Sequence, residues 1–356
     1  FALRGHHLDI YSRNPGQPSR TRFPSVWQFS EWRRSARPDV VHLSSSGPLG
    51  WAALTAARGL GIPVTSMFQG ISAPSFRGGQ SGWRTAAIDF SIRAFHNRVD
   101  LTIVRSSVLK HELSNRGFFR LRVLERGIDT ALFNPQNRCE SLRSQWQATP
   151  ESIVFLCPAR FVESGNGLNV IGAFEALRDR SPRARLVLIG NLADKGDLKP
   201  LPRNITLAGE QEGLSLARHY ASADVFLFPD CSGADDGSML EALASGLPSI
   251  AFRPASGADL IVSGVNGELV EADNPRAFTD SIIRWAAHAS IRSEMRAHAR
   301  SSSINRDWLR VTTQFESMIR SLIEGELAPN IPESIPRLRA LTSPREKLHS
   351  DSSAPV

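Results

Sequence analysis

The sequence predicts an α/β protein of two Rossmann-like, doubly wound domains facing a central cleft. Three observations predict it. Its 356 residues suit two domains of ordinary size. Short apolar runs of β-rich composition alternate with helical patterns along nearly the whole chain, the mark of β-α-β units and a parallel sheet. The series runs twice, with Pro and Asn punctuating the chain at Phe133-Asn134-Pro135-Gln136-Asn137 between the two runs.

In the first run the expected strands are His7–Ser12, Asp39–Leu43, Pro63–Phe68, Leu101–Val104 and Arg122–Glu125. Helices are expected at Leu49–Gly59, Ala-rich and ended by Gly59-Leu60-Gly61, and at about Gly82–Arg98. In the second run the strands are Ile153–Cys157, Arg185–Ile189, Ile205–Ala208, Val225–Phe228, Ser249–Phe252 and Glu268–Val270. Helices intervene at Leu168–Arg180, Glu212–Ala221, Ser238–Ser245 and Pro275–Ala287. The resulting division is 1–135, 136–305, a helix over 306–325, and a Pro- and Ser-rich tail over 326–356 whose composition predicts disorder. The chain opens at Phe1, inside what reads as a helix followed by a strand, so further residues of the fold are expected upstream.

Composition narrows the function classes. The 41% hydrophobic and 22% charged content is that of a globular protein, and no apolar run approaches the ~18 residues of a membrane span. The three cysteines, Cys139, Cys157 and Cys231, form no Cys-x-x-Cys pair. That pattern points to a reducing, cytoplasmic compartment and away from a disulfide framework or zinc site, with Cys157 a buried small hydrophobe. Residues 77–126 hold ten Lys/Arg against four acids and so carry six of the seven net positive charges. Such a window suits an anionic membrane surface; it equally suits a solvated helix face chosen for solubility. It lacks the interleaved aromatics and reader motifs of a nucleic-acid platform, so no nucleic-acid partner is expected.

Two segments carry candidate chemistry. In Phe228 to Pro248 a strand ends, a polar loop follows, and a helix opens near Gly237-Ser238. Gly237 removes side-chain bulk where a ligand approaches the backbone, Ser238 suits a cap, and the free N–H groups of the first turn suit a diphosphate. Glu241, one turn in, can take a ribose diol with two hydrogen bonds; read alone it is also a first-turn acid complementing the helix dipole. The second segment, Cys157 to Leu168, is again strand, Gly-rich loop and helix, with Arg160 at the turn where a guanidinium can grip phosphate oxygens. A third, Arg126 to Pro135, reads as a structural hinge in which Leu132 and Phe133 anchor between domains.

Together these segments, with Pro38 to His42, Phe95 to Arg98, Ala217 to Asp224 and Gly264 to Gly267, resemble the group 1 retaining glycosyltransferases of GT-B fold, a family that includes bacterial α-mannosyltransferases. The resemblance runs from Gly5 to about Glu324. It implies hexosyl transfer, of mannose for instance, from a GDP- or UDP-linked sugar to a lipid-linked or glycan hydroxyl, with retention and without a metal or other cofactor. By the same resemblance Arg160 contacts the donor diphosphate, Glu241 the ribose, Gly209 and Glu210 the base, and Gly237, Ser238, Met239 and Leu240 the phosphates and sugar. The family's acid eight positions before Glu241 is here Gly233, its phosphate-loop Lys is Gly165, and Phe68-Gln69-Gly70 stands in place of its Phe-His-Thr. Asp235 and Asp236, with Asp230, are the candidates for the acid's role, and Gln69 and Asn166 for the polar contacts. The alternative is a lapsed copy that binds a nucleotide-sugar or lipid, or scaffolds a partner, without turnover.

Overall fold

The computed structural model describes residues 29, 32, 37–68, 83–161, 170–191, 201–229, 237–253, 260–272, 274–287 and 289–326. The expected strand His7–Ser12 lies outside them, as do Gln69, Asn166, Asp230, Asp235 and Asp236.

The first sheet is built from β1 (Val41–Leu43), β2 (Val64–Met67), β3 (Leu101–Val104) and β4 (Leu121–Val123), in that order and all parallel. Helices α1 (Pro48–Gly59), α2 (Trp83–His96) and α3 (Ser107–Asn115) connect them. Pro48 at the start of α1 supplies a φ suited to the first turn, and the Ser106 hydroxyl caps α3 by accepting from the Leu109 amide at 3.1 Å. β4 begins one residue earlier than its composition suggests and ends at Val123, and Glu125 beyond it pairs with Arg306 at 2.9 Å.

The second sheet follows a helix α4 (Glu140–Gln145) and comprises β5 (Ile153–Pro158), β6 (Ala184–Ile189), β7 (Ile205–Gly209), β8 (Val225–Phe228), β9 (Ser249–Arg253) and β10 (Gly267–Glu271). Among the described residues its order is β10-β9-β8-β5-β6-β7, with every pairing between these strands parallel. Its helices are α5 (Val170–Arg180), α6 (Gly213–Ser222), α7 (Gly237–Ala244), α8 (Pro275–Ala287) and α9 (Ala289–Ile304); α10 (Trp308–Ile323) follows.

The central strand shows why the apolar runs are continuous. All six residues of β5 are buried; Ile153, Phe155 and Cys157 enter one core while Val154 and Leu156 enter the core on the opposite face. A parallel strand covered by helices on both faces has no solvent side to keep polar. Cys157 is fully buried, as its setting predicts, and burial pushes its thiol well up while the nearby Arg160 charge opposes the shift.

Two crossovers join the sheets and lie against each other. The Ile128 amide donates to Arg306 O at 2.9 Å, Ile128 bridges to Asp307 in parallel register, and the Thr130 hydroxyl donates to Asp307 Oδ2 at 3.1 Å. Phe133 does anchor its segment, but to the second domain's core, where its ring meets Tyr220 edge-on at 5.8 Å. Asp307 caps α10, which turns back onto the first sheet: Val311 packs with Leu101, Ile103 and Leu124. No helix of the described residues is long and apolar enough to cross a membrane.

Candidate functional site

β5 is the point where the second sheet changes direction: the chain moves from β5 outward through β6 to β7, then returns to β8 on the other side of β5. Loops leaving neighbouring strands in opposite directions open a crevice at the strands' carboxyl ends, and ligands of doubly wound sheets bind there. The two segments singled out by composition leave those two strands.

Arg160 follows β5 directly, and its Nη2 donates to Ser238 Oγ in α7 at 3.1 Å. The Arg160 turn and the amino end of the Glu241-bearing helix therefore meet at the switch point. Gly237 opens α7, so Ser238 belongs to the first turn rather than capping it, and its hydroxyl is turned toward Arg160. The amides of residues 237–239 start the helix without intrahelical acceptors and add a positive partial charge beside the guanidinium.

Glu241 is the fifth residue of α7, beyond the first turn. Helix-dipole effects fade within that turn, which weakens the reading of Glu241 as a dipole-complementing acid. Met239 and Leu240 are 0% and 1% exposed and pack into the core beneath the site, so their side chains are not open to a ligand. Gly209 ends β7, its carbonyl accepting from the Gly190 amide at 2.8 Å, and Gly190 lies near Ala159. The carboxyl ends of β5, β6 and β7 thus form one continuous rim. Glu210 stands exposed on that rim and accepts from Asn191 Nδ2 at 2.8 Å.

The hinge segment contributes a residue that composition does not mark as reactive. A Cβ built on Gly237 would lie 2.8 Å from Arg126 Nη2 and 2.9 Å from both Cζ and Nη1. Only glycine leaves that guanidinium its place. Arg126 comes from the crossover after β4, on the other domain, and nothing local to it announces the contact. Two guanidinium groups thus flank adjacent residues at the start of α7, with a carboxylate one turn further on. That combination can hold an anionic ligand bearing hydroxyl groups; among the described residues no cluster of His, Cys, Asp and Glu fits a metal ion.

Comparison with known proteins shows the family and the fold. The model of the "Glycosyl transferases group 1" family matches residues 152–288, and that of "Glycosyltransferase Family 4" matches residues 2–132. The chain is 31% identical over 280 residues to a GDP-mannose-dependent alpha-mannosyltransferase of Mycobacterium tuberculosis, covering 77% of this chain and 71% of the relative. It is 33% identical over 244 residues to a protein of the same description from Mycolicibacterium smegmatis, covering 67% of this chain and 62% of the relative. Among solved structures, sucrose-phosphate synthase from Thermosynechococcus elongatus superposes with a TM-score of 0.67 at 17% identity, over 84% of this chain and 77% of that one. The two parallel sheets, the switch-point crevice and these matches together place the chain in the group 1, family 4 glycosyltransferases of GT-B fold.

Proposed function

We propose that the protein transfers mannose from GDP-mannose to a lipid-linked or glycan hydroxyl, with retention of the anomeric configuration and without a metal ion. The observation that carries this reading is the Arg160–Ser238 contact at the switch point, which brings a guanidinium and a helix amino end together, a pairing suited to a diphosphate. The donor named in the mycobacterial relatives supports mannose and guanine over other choices.

In this reading the diphosphate lies across the first turn of α7, Arg160 offsets the charge that develops on the departing GDP, and Glu241 takes the ribose hydroxyls. The acceptor hydroxyl attacks from the face the diphosphate leaves, and a leaving phosphate oxygen takes its proton. Such a route asks the protein for positioning and electrostatics. The test combines radiolabelled GDP-mannose turnover with calorimetric titration of GDP and UDP. Turnover is expected, with GDP bound more tightly than UDP. Arg160→Gln should weaken GDP by on the order of 10- to 100-fold, the loss of one charge-assisted contact. Binding of neither nucleotide, or no donor cleavage, rejects the reading.

The acceptor's location belongs to the same proposal: attachment to the anionic inner face of the membrane through residues 77–126. α2 and α3 share one small core, with Ile92 and Leu109 packed against Phe68, Val104, Leu113 and Phe118. On these two helices Ile88, Phe90 and Val108 are 48%, 64% and 62% exposed, amid the basic residues of the window. Apolar side chains set in a positive field suit the headgroup boundary of an anionic bilayer. Flotation with anionic liposomes should carry the protein upward, and Phe90→Asp should reduce it; equal flotation with neutral liposomes counts against the attachment.

A further inference from the structure

We infer that Arg126 is the second diphosphate-binding cation of the donor site, supplied by the crossover between the sheets. The inference rests on the donor reading above and deepens it. It starts from the close approach at Gly237, where three guanidinium atoms stand nearly equidistant, at 2.8, 2.9 and 2.9 Å, from the position a Cβ would take. Near-equal distances to Nη1, Cζ and Nη2 mean that the flat face of the guanidinium covers the first residue of α7, where a phosphate would sit over the helix amino end. Arg160 reaches the next residue, Ser238, at 3.1 Å. The two cations therefore bracket one short stretch of backbone.

The sequence explains why a second cation has to come from elsewhere. Between Pro158 and Arg180 there is no Lys, so Arg160 is the only cation in the loop that leaves β5. Both phosphates of a nucleotide-sugar are anionic, and the leaving diphosphate gains charge as the sugar departs. One guanidinium and a helix start offset only part of it.

Arg126 is also held for the task. Its neighbour Glu125 pairs with Arg306 at 2.9 Å, and Ile128 donates to Arg306 O at 2.9 Å. Between them Gly127 lies beneath the indole of Trp308, so close that a Cβ there would come within 2.4 Å of the ring. The backbone on both sides is thus pinned to the second crossover. The side chain of Arg126 is presented from a fixed base across the interface between the domains, and a donor bound there touches both domains at once.

The test compares the full-length wild type with Arg126→Gln and Arg126→Lys by calorimetric titration of GDP and of guanosine, which has the base and ribose but no phosphate. Arg126→Gln is expected to weaken GDP by on the order of 10- to 100-fold while leaving guanosine affinity unchanged. Arg126→Lys keeps the charge but not the planar fork, and should lose several-fold for GDP alone. Unchanged GDP affinity in the Gln variant overturns the inference. Equal losses for GDP and guanosine overturn it as well, because they indicate a structural role. Should the Gln variant fail to fold, the Lys variant decides on the same two ligands. A wild type that binds no GDP overturns the donor reading itself, whereas a binding wild type with indifferent Arg126 variants overturns only this inference.

Discussion

At the scale of single residues, burial decides which polar groups are chemical and which are structural. His96 illustrates the second kind. It is 4% exposed, its Nδ1 lies 2.9 Å from Ser66 Oγ, and rings of Phe68, Phe95 and Phe118 surround it. Desolvation lowers its pKa to about 4 from 6.5. The sign follows from where the proton goes. Between those two values the unfolded chain binds a proton that the folded chain refuses, so stability is complete above pH 6.5 and is lost as pH falls toward 4, by up to about 3 kcal/mol. The melting temperature should therefore drop between pH 7 and pH 4.5, and His96→Gln should flatten part of that drop. His219, lowered by burial too, keeps a residual slope. Parallel curves for wild type and variant would show that His96 is not the group responsible.

At the scale of elements, what could be read from composition was whatever leaves a local trace. The strands of the second sheet were legible to within one residue at each end because each is a short β-rich apolar run, buried on both faces in the central β5 and β8; β8 and α8 match end to end. The strand–loop–helix segments around Arg160 and Glu241 were legible for the same reason, since turn residues and apolar runs lie next to the residues they position. α9 was not legible. Its sequence, Ala289 to Ile304, is Ser- and Arg-rich with no clear apolar stripe. Tertiary ties hold it instead: Arg300 donates to the carbonyls of Thr130, Phe133 and Ala244, and Arg296 reaches Ala223 O. Arg126 was missed on the same principle, because its partner Gly237 is over a hundred positions away and on the other domain. Gly246 lies between these cases. Its place after α7 reads as a helix stop, and the structure gives it φ 72°, but its approach to Pro135 Cγ, at 3.0 Å for an added Cβ, follows only from the fold.

At the scale of the whole molecule, the chain leaves the first domain at Arg126 and returns to it at Asp307, so the first domain is finished only by the chain's last described helix. The apolar face of α10, with Val311 buried and Phe315, Met318 and Leu322 beside it, covers Leu101 and Ile103 of β3 and Leu124 just past β4, and Phe315 meets the His42 ring at 5.3 Å. Full burial of one such side chain contributes about 1.5–3 kcal/mol; with one buried and three partly buried, the contact supplies several of the roughly 5–15 kcal/mol by which a domain is stable. A chain ending at Asn305 should therefore lose its first domain and keep its second, although the residues removed follow the second in sequence. Hydrogen exchange measures this directly: amides of β1 to β4 should exchange rapidly in the shortened chain, while those of β5 to β10 retain protection. The loss should also reach the donor site, because the shortened chain lacks Arg306 and Trp308, the two residues that hold the backbone on either side of Arg126. GDP affinity should then fall at least as far as in the Arg126 variants, with the Arg160 half of the site still folded. Uniform exchange across both sheets, or unaltered protection in the first, would mean that α10 merely lies on the first domain and does not complete it.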